Sequence, residues 1–418
     1  MKMLVINAGS SSIKFTVFNF SWIGKQQVLA SGQVECIGLP VSNLIYKKDN
    51  CGKTTTEIKP KNGEQTITHI EAMKAICDKL LDKEDGVLAN ISEVIAIGHR
   101  TVHGGEEITK PVIINEHVKN VMKKCFDLAP LHNPPNLMGI EACEKIFPNI
   151  PNVAIFDTAF HQTMPPESYL YALPYELYKK YGIRRYGFHG TSHHYVARAT
   201  ANFLKVNFEE LKLITCHLGN GCSMAAINKG NVVDTSMGMT PLEGLVMGTR
   251  CGDIDPAIPL SLIDKGMHPK EVDKLLNKKS GLFGVAGINS GDMRDIIQAA
   301  EKGNEQAELA LKIYIHRIIK YIGAYIAILN EVNAVVFTGG VGENSAYIRE
   351  KVLSNLTSLG ITFDAERNKA AIGQAATISA KGSKIKAIVM PTNEELMIAE
   401  QSIHLLLEEG KLKLVAIN

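Results

Sequence analysis

Apolar and polar positions along this chain follow two different periods. Short apolar runs at strand spacing stand at residues 4–6, 13–18, 94–98, 153–156, 213–216, 223–227 and 334–338. Between them, apolar residues three and four apart predict helices over 70–81, 306–329 and 394–407. Strand-like and helix-like stretches that alternate predict an α/β protein. Two of the strands lead through a glycine-containing turn into another strand. Asn7-Ala-Gly-Ser-Ser-Ser follows the first, and His217-Leu-Gly-Asn-Gly-Cys follows the run at 213–216. One strand–turn–strand unit in each half predicts duplicated lobes. The boundary is placed just after Asp157. That gives a first lobe of 1–157 plus 392–418, with a returning C-terminal helix, and a second lobe of 158–391.

Residues 234–256 fit neither period. Glycines stand at 238, 244, 248 and 252, prolines at 241 and 256, and one cation, Arg250, sits in Gly-Thr-Arg-Cys-Gly-Asp. A long irregular segment inside a compact domain tends to carry function.

Composition narrows the classes. At 418 residues the chain exceeds one typical core. An apolar fraction of 45% and a charged fraction of 21% fit a soluble globular protein. A net charge of +2 without a dense basic run gives no footing for nucleic acid or a membrane surface. The longest membrane-like run, 321–329, falls short of the roughly 20 residues a spanning helix needs. No targeting segment is expected, because the apolar start runs directly into a strand. Eight cysteines without a Cys-x-x-Cys pair argue against a disulfide framework and for a reduced, cytoplasmic setting.

Candidate chemistry lies at the strand ends. Gly52-Lys53-Thr54 imitates the end of a phosphate-binding loop, but Lys47 stands where its first glycine belongs. Gly340-Val-Gly-Glu-Asn lacks the third glycine of a dinucleotide fingerprint. What remains are three small polar turns: Gly9-Ser10-Ser11-Ser12 with Lys14, Gly219-Asn220-Gly221, and Gly339 to Asn344. Successive backbone N–H groups in such turns form anion-binding concavities. Arg100 follows a buried strand in Gly-His-Arg, and the planar fork of an arginine suits carboxylate and phosphate. His132 and His189 stand in motifs that do not read as amphipathic helix faces. Asn7, Asp157 and Glu394 offer hard oxygen atoms, the donors that Mg²⁺ prefers.

Taken in order, Asn-Ala-Gly-Ser-Ser-Ser-Ile-Lys, Gly-His-Arg-Thr-Val-His-Gly-Gly, Ala-Pro-Leu-His-Asn-Pro-Pro-Asn, Phe-Asp-Thr-Ala-Phe-His, Tyr-Gly-Phe-His-Gly-Thr-Ser-His, His-Leu-Gly-Asn-Gly, the 234–256 segment, Thr-Gly-Gly-Val-Gly-Glu-Asn and Thr-Asn-Glu-Glu resemble the acetate kinase family. They run from residue 3 to about 399 in family order. The resemblance implies a two-lobed, actin-like and ribonuclease H-like duplicated fold, with the active site in the interdomain cleft. It also implies a homodimer, and reversible ATP-dependent phosphorylation of acetate to acetyl phosphate with Mg²⁺ (or Mn²⁺) and ATP/ADP. Carried over residue by residue, Asn7 and Glu394 resemble the metal ligands, with Glu395 next door as the alternative. Ser10, Ser12, Lys14, His217, Leu218, Gly219, Asn220, Gly221, Asp292, Met293, Arg294, Gly340, Val341, Gly342, Glu343 and Asn344 resemble the ATP contacts. Arg100 matches the binder of the acyl carboxylate. Val102, Leu131, Phe188 and Pro241 resemble the methyl pocket, with His132 beside them. Asp157, His189 and Arg250 match the acidic residue and the transition-state stabilisers. A propionate kinase of the same family is the nearest rival, since one methylene in an apolar pocket is worth only about 1–3 kcal/mol. An actin-like nucleotide switch is the rival of another class.

Overall fold

In the computed structural model, which describes residues 1–21, 26–60 and 65–412, the chain divides into two compact units. One is Met1–Ala159 with the segment from Glu394 onward, and the other is Phe160–Asn393. Residues 413–418, assigned above to the first lobe, lie outside the described residues.

The first unit holds strands β1 (Lys2–Ala8), β2 (Ser12–Phe20), β3 (Gln26–Glu35), β4 (Ser42–Lys48), β5 (Lys53–Ile58), β6 (Val94–Thr101), β7 (Val112–Ile113) and β8 (Asn152–Phe156). Their order in the sheet is β5-β4-β3-β2-β1-β6-β8-β7. β1 runs antiparallel to β2, Ala8 opposite Ile13, and parallel to β6, Ile6 opposite His99. β6 runs parallel to β8, Arg100 opposite Ile155. The C-terminal ends of β1, β6 and β8 therefore lie side by side, which is where open α/β sheets present their ligand-binding groups.

The helix His69–Leu80 covers one face, started by a capping box in which Thr68 and Glu71 satisfy each other's backbone N–H groups. Its Met73, Ile76 and Leu80 pack with Leu4, Ile6, Phe15 and Phe147 in one apolar cluster. The helix Glu394–Glu408 packs on β1, β6 and β8, and buries Leu396, Met397, Ile398 and Ala399.

The second unit holds β9 (Lys212–Leu218), β10 (Cys222–Asn228), β11 (Asn231–Thr235), β12 (Ala334–Thr338), β13 (Ala376–Thr377) and β14 (Lys386–Val389), in the order β11-β10-β9-β12-β14-β13. β9 pairs antiparallel with β10 and parallel with β12, Thr338 opposite His217. The run β11-β10-β9-β12-β14 repeats β3-β2-β1-β6-β8 of the first unit in strand order and in the sense of each pairing. The expected duplication is therefore present, and the two glycine turns occupy equivalent places, between β1 and β2 and between β9 and β10. The long helix Glu305–Leu329, capped by Asn304, buries Leu311, Tyr314, Ile318, Ile322 and Tyr325 at helical spacing.

Two readings of local structure change. Residues 234 and 235 close β11, so the irregular segment runs from Ser236 to Pro256. Gly339 to Asn344 form a short helix rather than a turn, because its end is fastened from outside. The fully buried Arg349 donates to the carbonyls of Gly342 and Glu343, and also to Asn368 and Ala371.

Candidate active site

In the first unit, Asn7, Arg100 and Asp157 stand at the ends of β1, β6 and β8. Arg100 Nη2 meets Asp157 Oδ2 at 2.6 Å and Arg100 Nε meets Glu394 Oε2 at 3.3 Å. Asp157 is only 1% exposed, whereas Arg100 keeps 22% of its side chain open. Two carboxylates thus orient one guanidinium whose outer edge remains accessible. Burial, then the charges of Asp157 and Glu395, raises the pKa of Glu394 to about 7, against the pull of Arg100 and Lys14. The backbone at the end of β6 is fixed by two asparagines. Val102 N–H donates to Asn136, which in turn donates to the Ala8 carbonyl, and His103 N–H donates to Asn133. These asparagines begin the helix Asn133–Ile146, whose first turn carries prolines that need no N–H partner.

The remaining first-unit residues divide by exposure. Val102 is buried, His132 occupies the exposed N-cap position of the helix without a capping side-chain hydrogen bond, and Leu131 is 63% exposed, so it closes no apolar pocket within its own unit. Gly9 N–H donates to Ser12 in the turn after β1, and Ser10 and Lys14 are exposed.

Among the described residues no group of three or more His, Cys, Asp or Glu side chains is placed to hold a metal ion. Mg²⁺ is ordinarily held by one or two carboxylates, with waters and substrate phosphates completing the shell. Three neighbouring acids (Asp157, Glu394 and Glu395) against Arg100 and Lys14 leave a surplus of negative charge that a hard cation suits. Asn7, at the end of the adjacent strand, adds a neutral oxygen of the right kind.

The second unit carries a cavity of about 960 Å³. Gly219, Asn220, Asp292, Met293, Arg294, Gly340, Val341 and Asn344 line it, all of them expected nucleotide contacts. His217, Leu218, Gly221, Gly342 and Glu343 are not among its lining residues. The Glu343 carboxylate accepts from the N–H groups of Gly339 and Thr392, so it braces the short helix instead. Ile297, Gln298, Glu301 and Tyr347 also line the cavity and were not singled out. The signal was available, since 294, 297, 298 and 301 share one face of the helix Met293–Glu301, which Asp292 caps.

Arg250 and His189 converge on Gly221. A Cβ built on Gly221 would lie 2.9 Å from Arg250 Nη2 and 3.4 Å from His189 Nε2. His189 has φ of +56°, a left-handed conformation uncommon outside glycine and asparagine and frequent where function imposes strain. It precedes the helix Gly190–Leu204, and its ring stacks on His217 with centroids 4.4 Å apart. Arg250 Nη1 donates to the Pro241 carbonyl at 2.6 Å, and among the described residues no carboxylate pairs with it. Burial lowers its pKa, with Cys222 pulling the other way. The segment that carries Arg250 is held by outside groups. Asp253 accepts from Gly244 N–H and from Tyr321, and Arg317 grips both Asp253 and the Gly244 carbonyl. Arg185 holds Glu243 at 2.7 Å and donates to the carbonyls of Thr235, Ser236 and Met237. Phe188 is buried and Pro241 partly so.

Residues 2–400 match the model of the acetokinase family. The chain belongs to that family. It is 52% identical over 410 residues to an acetate kinase of Dictyoglomus turgidum, covering 98% of both chains. Among solved structures it is similar to an acetate kinase of Porphyromonas gingivalis, at 45% identity and a TM-score of 0.91, over 97% of this chain and 99% of that one. It is also similar to a propionate kinase of Francisella tularensis, at 41% identity and a TM-score of 0.87, over 96% and 98%.

Proposed function

We propose that this chain transfers the γ-phosphoryl group of ATP to acetate, forming acetyl phosphate, and catalyses the reverse transfer. The observation that carries the reading is the partly buried Arg250, which has no carboxylate partner among the described residues and shares the edge of Gly221 with His189. A partly buried cation so placed is complementary to an anion that arrives with the substrate.

Acetate is already ionised near neutral pH, so the barrier is charge repulsion and alignment rather than proton removal. Arg100 binds the acetate carboxylate in this reading. Asp157 holds Arg100 rather than acting as a base, in keeping with their 2.6 Å ion pair. Arg250 and His189 neutralise charge on the equatorial oxygens of the moving phosphoryl group. The cavity beside Asn220, Asp292 and Val341 takes the nucleotide, the backbone N–H groups of Gly340 and Val341, which line it, being offered to the phosphates. Asn7 and Glu394 would hold Mg²⁺, which when bound supplies charge neutralisation to the phosphates.

Self-association belongs to the same proposal. The helix Ala257–Asp264 has no buried residue although it carries Ile258, Leu260 and Ile263, and a second copy of the chain would cover it. We place the protein in the cytoplasm, in keeping with eight unpaired cysteines and no described helix long and apolar enough to cross a membrane.

The test is ATP turnover with and without acetate, with the acyl phosphate trapped by hydroxylamine. Acetate-dependent hydroxamate is expected, and Arg250→Ala should lower kcat on the order of 10³-fold. Acetate-independent hydrolysis without hydroxamate would favour a nucleotide switch, and a near-wild-type kcat in the variant would remove Arg250 from the mechanism. The similarity to the Francisella enzyme makes propionate the competitor to include, with kcat/KM deciding between the acids.

A further inference from the structure

Behind His189 runs a buried chain of hydrogen bonds that no contact with substrate requires. His189 Nδ1 lies 2.8 Å from Ser223 Oγ, Ser223 Oγ lies 2.8 Å from His193 Nε2, and His193 Nδ1 lies 2.7 Å from Thr215 Oγ1. Ser223, His193 and Thr215 are each 0% exposed. Local structure explains the assembly. His193 stands one turn after His189 on the helix Gly190–Leu204, while Thr215 on β9 and Ser223 on β10 belong to the strand pair beneath that helix.

A chain of this kind has a direction. Ser223 has one hydroxyl proton and, among the described residues, no acceptor for it but the two imidazole nitrogens, so that buried proton is used only when one ring accepts from Ser223 and the other donates to it. Burial, reinforced by the nearby His161 and His217, holds His193 neutral, so it donates through one nitrogen and accepts through the other. Two arrangements satisfy these counts. In the outward one, Thr215 donates to His193 Nδ1, His193 Nε2–H donates to Ser223, and Ser223 donates to His189 Nδ1. The proton of a neutral His189 then sits on Nε2. In the inward one every bond reverses, and His189 Nε2 carries a bare lone pair.

Thr215 decides between them. Its hydroxyl has no other hydrogen-bond partner among the described residues. In the inward arrangement it accepts from His193 and its own proton is buried without an acceptor, an unfavourable state for a hydroxyl cut off from water. In the outward arrangement every proton of the chain is used. We propose that Thr215, His193 and Ser223 are positioning residues that fix His189 as the Nε2–H tautomer, so that it presents a donor at the edge of Gly221 beside Arg250. A bare lone pair there would repel a phosphoryl oxygen, whereas an N–H would bind it.

The inference rests on the reading of His189 as a phosphoryl-stabilising residue, and the experiment separates the two. Ring-¹⁵N spectra of histidine-labelled full-length protein, assigned with His189→Gln, report the His189 tautomer without reference to activity. Wild type should show Nε2–H. Thr215→Val, which keeps shape and removes the hydroxyl, should move His189 toward a mixture with Nδ1–H. It should lower kcat on the order of tenfold while KM for ATP and acetate changes less than about twofold. Thr215→Ser should restore both readouts. Ser223→Ala, which cuts the chain next to His189, provides a second variant with the same expected tautomer shift should Thr215→Val not fold. An unchanged tautomer in whichever of the two variants folds, or a Thr215→Ser variant as impaired as Thr215→Val, overturns the directional chain. A His189→Gln variant with wild-type kcat overturns the role of His189 instead, and the spectra still report on the chain.

Discussion

His99 shows how one buried side chain next to the site ties stability to pH. It is 2% exposed, immediately precedes Arg100, and its Nε2–H donates to Asn152 Oδ1 at 2.7 Å. Burial lowers its pKa from 6.5 to about 4, only partly offset by that hydrogen bond. The unfolded chain therefore binds a proton at this residue below pH 6.5 that the folded chain refuses until about pH 4. Stability is present above 6.5 and is lost as pH falls through that window, with a slope of up to about 1.4 kcal/mol per pH unit from this group. Urea unfolding at pH 7, 6 and 5 should show wild type losing stability more steeply than His99→Gln. Equal slopes for the two proteins would mean that the folded chain takes up a proton at His99 as readily as the unfolded chain does.

At the scale of elements, the cavity proposed to take the nucleotide is built by backbone segments that approach more closely than any side chain would allow. Gly248 N–H donates to the Asn220 carbonyl at 2.9 Å, and a Cβ on Gly248 would stand 2.0 Å from Asn220 Oδ1. Gly248→Ala must therefore push the Asn220 carboxamide out of the cavity wall. Overpacking of this kind costs roughly 1–3 kcal/mol, and here it falls on the proposed binding surface, so KM for ATP should rise on the order of tenfold. KM for acetate should change far less. Equal increases for both substrates would show that the segment shifts as a whole. The glycine spacing in 234–256 made this element legible as an irregular segment, with Arg250 as the cation inside it. Its supports were not legible, because Arg185, Arg317 and Tyr321 come from elsewhere in the chain. Strands with two-sided apolar burial, such as Ala334–Thr338, stood out from the sequence. The exposed, polar β5 has no apolar alternation to mark it, and it joins the sheet only by pairing with β4. The helix Asn133–Ile146 hid behind its own Asn-Pro-Pro start, which reads as a loop unless the prolines are placed in the first helical turn.

For the whole molecule, the question is what covers the apolar face around residues 254–263. Leu260 is 64% exposed, Ile258 45%, and Ile254 and Ile263 both 37%. Scattered exposed apolar residues are normal, but several on one helix without a single buried neighbour mark a contact surface. The neighbouring helix Pro269–Lys278 buries only Val272 and does not cover it. A symmetric pair of chains would remove this surface from water by setting one helix against its copy, the commonest form of self-association. Wild type should sediment near twice the 45.7 kDa chain mass at micromolar concentration. Leu260→Glu, which sets a charge in the middle of the face, should sediment as a monomer with its far-UV circular dichroism unchanged. Hydroxamate formation by that monomer then separates two roles for the pairing. Retained kcat with a lowered Tm means that the partner serves stability alone, whereas a fall in kcat means that the segment carrying Arg250, which ends where this helix begins, depends on the partner for its position. A wild-type chain that sediments as a monomer at every concentration would overturn the surface as a dimer contact.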